Sequence, residues 1–211
     1  IKGDFFQGPL WVVPTVSGSA HRLGGVNSSD AAWSPDGQRI AYTSEHALYI
    51  SRSDGADSRK LVTLGKGTPW WIRWSPDERL LRFTVGNVQA NSNSLWEVHS
   101  DGSGLRPLFT DWTGSTGECC GPPGDCCGTW TRGGRYFVFQ STRNFRSDLW
   151  AIREERGLFK RSKFSPVQLT NGPLNFQGPQ PSYDGRKLYA IGVHARGELV
   201  RYDKRSKQLV P

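Results

Sequence analysis

Trp33-Ser34-Pro35-Asp36-Gly37, followed by Gln38-Arg39-Ile40-Ala41-Tyr42-Thr43-Ser44, is the stretch that decides the fold. It recurs as Trp74-Ser75-Pro76-Asp77-Glu78 before Arg79-Leu80-Leu81-Arg82-Phe83-Thr84. A third copy, Trp130-Thr131-Arg132-Gly133-Gly134, precedes Arg135-Tyr136-Phe137-Val138-Phe139-Gln140-Ser141. A fourth, worn copy, Pro181-Ser182-Tyr183-Asp184-Gly185, precedes Arg186-Lys187-Leu188-Tyr189-Ala190-Ile191. Each reads as the end of one strand, a tight turn and an alternating strand. Proline fixes φ in the turn, and Asp-Gly accepts the positive φ that a two-residue hairpin turn requires.

A second pair of strands follows each anchor. Leu48-Tyr49-Ile50-Ser51-Arg52 turns at Asp54-Gly55 into Arg59-Lys60-Leu61-Val62. Leu95-Trp96-Glu97-Val98-His99 turns at Asp101-Gly102 into Leu105-Arg106-Pro107-Leu108. Leu149-Trp150-Ala151-Ile152-Arg153 returns through a longer loop to Val167-Gln168-Leu169, and Leu199-Val200-Arg201-Tyr202 turns into Gln208-Leu209-Val210. The unit is four strands. The anchors at 33, 74, 130 and 181 stand 41, 56 and 51 residues apart. Four-stranded repeats of about 40–50 residues are propeller blades, which cannot bury their faces alone and stack on neighbours.

The predicted fold is therefore all-β, a propeller with four complete blades at 26–64, 65–109, 128–170 and 173–211. The outer half of another blade, 5–24, precedes them, so the chain reads as part of a larger ring. Trp33, Trp74 and Trp130 hold one repeat position, and Trp11, Tyr49, Trp96 and Trp150 another. Large aromatics at repeat-equivalent positions predict packing between blades. Asp36, Gly37, Asp77, Asp184 and Gly185 report the same architecture before any chemistry.

A net charge of +8, from 27 Lys and Arg against 19 Asp and Glu, is spread along the chain. It permits contact with anionic surfaces. Without a basic block or aromatic–basic alternation it points to a solvated exterior, not to direct nucleic-acid contact. Gly 25, Pro 13 and Trp 9 suit short strands and many turns. The chain holds no methionine and opens at Ile1, so it reads as a segment of a longer protein. No signal peptide and no apolar run near a membrane span is present within it.

The repeat is broken between blades two and three by a Cys-rich insertion, 110–128, expected to be a loop. It contains Cys119-Cys120 and Cys126-Cys127. Three readings stand open: one or two disulfides between the pairs, four free thiols, or a zinc held by all four cysteines. The spacing is not the usual Cys-x-x-Cys knuckle. No Gly-x-Ser-x-Gly elbow is present, the four histidines are far apart, and Gly65-Lys66-Gly67 lacks the rest of a phosphate loop. No catalytic constellation and no cofactor are expected.

With its anchors placed, the chain resembles the TolB-type, or WD40-like Pro-Asp (PD40), β-propeller family. The matching residues are the two Trp-Ser-Pro-Asp anchors and Phe139-Gln140-Ser141-Thr142-Arg143-Asn144 leading to Asp148-Leu149-Trp150. It departs at Arg132-Gly133, at Tyr183 and in the insertion. More narrowly, Gly8-Pro9-Leu10-Trp11-Val12-Val13-Pro14 and Gly197-Glu198-Leu199-Val200-Arg201-Tyr202 look like propeller segments of large bacterial proteins that carry a winged-helix or Ser/Thr kinase domain. That resemblance implies a sensing or protein-interaction module, periplasmic or otherwise extracytoplasmic, in a parent protein that can be membrane-anchored. Binding would use blade-end loops: the 110–128 loop with Trp112, the 86–94 loop, and the basic 153–163 loop with Arg153, Arg156, Lys160, Arg161 and Lys163. Two alternatives remain. One is the substrate-gating propeller of an oligopeptidase-like serine hydrolase, and the other a TolB-like envelope component.

Overall fold

The computed structural model describes residues 7–109, 124–154, 165–194 and 200–210. A leading hairpin pairs β1 (Gly8–Val12) with β2 (His21–Ser28). The first four-stranded blade runs β3 (Ala31–Trp33), β4 (Arg39–Ser44), β5 (Ala47–Arg52) and β6 (Arg59–Thr63). The second runs β7 (Thr68–Trp74), β8 (Leu80–Asn87), β9 (Ser92–His99) and β10 (Arg106–Pro107), and the third β11 (Gly124–Trp130), β12 (Tyr136–Arg143), β13 (Arg146–Arg153) and β14 (Val167–Gln168). A single parallel bridge, Gly124 to Asn93, joins these two sheets. The fourth unit consists of two hairpins, β15 (Asn175–Pro181) with β16 (Leu188–Val193) and β17 (Arg201–Asp203) with β18 (Gln208–Val210). Among the described residues these two hairpins are not paired with each other, so the continuous fourth blade expected from the sequence is not seen there.

The first strands of successive blades neighbour one another, β3 with β7, β7 with β11 and β11 with β15. The chain is an all-β propeller of antiparallel blades.

The anchor turns explain themselves chemically. The Ser34 hydroxyl donates to Asp36 Oδ1 (2.5 Å), which also accepts the Gln38 amide (3.0 Å). Ser75 with Asp77 and Ser182 with Asp184 repeat this pattern. The third copy has no such carboxylate: Thr131 keeps with Tyr136 the exchange that Ser34 makes with Arg39, and Gly133 and Gly134 take the positive φ. The carboxylate is dispensable once two glycines relieve the backbone.

The core lies between blades. One cluster joins Ala41, Leu48 and Ile50 of the first blade to Ile72, Trp74, Leu81 and Phe83 of the second. Another joins Leu95 and Leu108 of the second to Trp130, Phe137, Phe139 and Ile152 of the third. The leading hairpin covers the first blade through Leu23, Val26, Ile40 and Tyr42. The Trp74 indole donates to the Ala32 carbonyl (3.0 Å) beneath the Arg39 guanidinium.

Three expectations are corrected. Trp33 is 48% and Trp11 55% exposed, so neither is buried between blades. Trp74 packs on the preceding blade, whereas Trp33 shares a surface cleft with Trp11 and Val13 of the leading hairpin. The 86–94 stretch is mainly strand: β8 runs to Asn87, β9 starts at Ser92, and only 88–91 turn. Residues 124–128 are not loop but the start of β11, where Cys126 and Cys127 are buried.

Candidate functional site

The inner strands share a device. Each of β7, β11 and β15 carries a bulge three residues before its anchor position, with the bulged residue at positive φ: Trp71 (55°), Cys127 (58°) and Gly178 (59°). A bulge sets two residues against one and leaves an amide outside the ladder. The preceding blade captures the amides freed there. Thr84 Oγ1 accepts Cys127 N (3.1 Å), Gln140 Oε1 accepts Gly178 N (3.4 Å), and Asp30 Oδ2 accepts Ile72 N (2.8 Å).

Charges are buried between the second and third blades. The Arg82 guanidinium, 1% exposed, pairs with Glu97 (3.1 Å) and closely with Glu154. It lies over the rings of Trp130 and Phe137, centred 4.9 and 4.6 Å away. Burial pushes the Glu97 carboxyl up, but Arg82 and Arg106 outweigh it and hold the group below its usual range. Nearby, burial drives the Asp125 carboxyl up to about 6 despite Ser141 and Arg143. Asp30 is likewise raised by burial. These groups brace strands, and each charged one has a partner.

The third and fourth units meet differently. The fourth anchor is Pro181, not tryptophan. Tyr136 and Val138 are the repeat equivalents of Arg39 and Arg82, which lie over the next tryptophan at the earlier seams, and here they line, with Thr131 and Ala151, a cleft of about 530 Å³. Val167, Leu169 and Leu188 add apolar side chains to its lining, and Arg153, Arg186 and Lys187 add positive charge. That volume lies within the range of ligand pockets, roughly 300–1,000 Å³. Contacts across the seam are polar. Arg132 donates to the Tyr183 carbonyl (3.1 Å) and hydroxyl (2.9 Å), with its guanidinium over that ring, and Ser147 N donates to Asn175 Oδ1 (3.0 Å).

Of the interaction residues expected from sequence, Arg153 lines this cleft. Arg156, Lys160, Arg161, Lys163 and Trp112 lie outside the described residues, as do Cys119 and Cys120. Among the described residues no three His, Cys, Asp or Glu side chains gather as a metal would need. Arg186 and Lys187 also line the cleft and are not among the residues expected from sequence. The signal for them was the lost tryptophan at 181, which sequence reading treats as wear in a repeat.

No family model matches the chain. Among solved structures it superposes on TolB from Acinetobacter baumannii with a TM-score of 0.67 at 17% identity, covering 95% of this chain and 47% of that one. The fold is a TolB-like β-propeller. The tricorn protease shares it (TM-score 0.61, 11% identity, 92% of this chain and 23% of that), as does a prolyl endopeptidase (0.54, 14%, 90% and 29%). In sequence, 96 residues are 32% identical to an uncharacterized peptidase, YuxL, of Bacillus subtilis (strain 168), covering 42% of this chain and 14% of that protein. The TolB-like propeller thus spans less than half the length of each of these relatives.

Proposed function

We propose that this chain is a non-catalytic propeller segment serving as a protein-interaction or sensing module of a larger bacterial regulatory protein, placed outside the cytoplasm. The observation that carries the reading is the cleft at the Pro181 seam. A lining that combines apolar side chains with Arg153, Arg186 and Lys187 suits an extended partner segment with apolar and acidic side chains. Rigid blades that present such a seam make a binding surface without a reaction centre. The test is capture of partners by the purified chain and by an Arg153→Glu, Arg186→Glu, Lys187→Glu variant. Loss of the captured proteins is expected. An unchanged set would remove the cleft from the proposal.

A second reading is favoured by the stretch resembling YuxL and by the protease folds above. Here the propeller gates peptide access to a serine-hydrolase domain elsewhere in the parent protein. A Gly-x-Ser-x-Gly motif in the parent sequence would select this reading. A winged-helix or kinase domain would select the first.

A further inference from the structure

We propose that Cys126 and Cys127 are an oxidative modification site, closing on each other as a vicinal disulfide. In a regular strand, neighbouring side chains point to opposite faces and two adjacent thiols stay apart. The bulge on β11 removes that alternation. Cys126 pairs with Gln140 and Thr129 with Val138, so two residues, Cys127 and Gly128, stand opposite Phe139 alone. With Cys127 at φ 58°, the two sulfurs lie 2.6 Å apart. The same bulge on β7 brings the adjacent rings of Trp70 and Trp71 edge to face, 6.3 Å between centroids. The juxtaposition therefore belongs to the repeat, and only the third blade fills it with two thiols.

Burial protects the bridge once it has closed. Cys126 is 6% and Cys127 8% exposed, so the folded strand keeps soluble thiols away from both sulfurs. The Cys127 sulfur, burial and the Asp125 carboxyl all push the Cys126 thiol up. The folded Cys126 thiol is therefore slow to form a thiolate, and closure belongs to the stage at which β11 has paired with β12 but has not docked on the second blade. With glutathione disulfide as oxidant, one cysteine thiolate attacks a glutathione sulfur. A mixed disulfide forms and the first glutathione leaves as thiol. The second cysteine loses its proton and attacks the first cysteine's sulfur, expelling the second glutathione. Two protein thiols are oxidised and one glutathione disulfide is reduced to two thiols.

The experiment is refolding of the full chain with Cys119→Ser and Cys120→Ser in a glutathione redox buffer, followed by thiol titration in denaturant and mass spectrometry. Expected is loss of both titratable thiols with loss of two hydrogens per chain, reversed by dithiothreitol, and a Cys127→Ser variant that cannot do the same. Two titratable thiols, glutathione adducts or bridges between chains would overturn the proposal. The unsubstituted chain supplies an independent readout: peptide mapping after the same treatment should place the bridge within 124–130. A bridge from Cys119 or Cys120 to this strand would equally overturn it.

Discussion

Asp125 and Arg82 show how single side chains set the conditions under which the blades hold. Asp125 is raised by burial from 3.8 to about 6. Between about pH 4 and 6 the folded chain keeps a proton that the unfolded chain has lost, so this group's contribution to stability falls as pH rises through that window. At about 1.4 kcal/mol per pH unit the full effect is about 3 kcal/mol. Asp125→Asn should flatten that part of the profile in urea denaturation from pH 4 to 7. Arg82 behaves oppositely, since its charge is required. Arg82→Leu takes from Glu154 its guanidinium partner and leaves Glu97 with Arg106 alone, and should destabilise by about 3–5 kcal/mol. Arg106→Ala, removing a partner 60% exposed, should change stability by about 1 kcal/mol or less. Neither role was legible in the sequence. Asp125 stood inside a presumed loop, and Arg82 holds a position that is Ala41 and Val138 in the blades beside it. A lone charge in an apolar strand shows its meaning only when both carboxylates are seen.

Strands and turns were the most legible scale, because Ser-x-Asp turns and alternating strands are local chemistry. The bulges were not, since a bulge requires knowing which residues stand opposite. They also explain why adjacent residues such as Trp70 and Trp71 can both be large. On β11, Gly128 has no room for a side chain, because a Cβ there would run into the Phe137 ring. Gly128→Ala should therefore destabilise by about 1–3 kcal/mol, read from denaturation midpoints. The equivalence of the anchors can be tested in the same way. Trp74→Ala, in a filled seam, should lose about 3–5 kcal/mol. Trp33→Ala, half exposed, should lose well under half of that. Equal losses would mean that Trp33 is packed after all.

Across the whole molecule, cover is best in the middle and thins toward the ends. Phe83, Phe137 and Phe139 are fully buried, whereas Tyr189, Ile191 and Tyr202 are 60%, 65% and 55% exposed. In stacked repeats, local stability follows the number of covered faces. Hydrogen exchange should therefore be slowest in β8, β9, β12 and β13 and fastest in β16 to β18. Uniform protection would contradict this. The propeller architecture was legible from the repeated anchors and their spacing. The cleft was not, because it arises from a residue the fourth repeat lacks. The captured amides at the bulges carry one more consequence. At every seam where they occur, the acceptor (Asp30, Thr84 or Gln140) precedes the donor in the chain. At about 5–20 residues per second of translation, each acceptor leaves the ribosome seconds before the strand that needs it. Synthesis thus lays down every docking point ahead of its guest, and the propeller can be assembled in the order in which it is read.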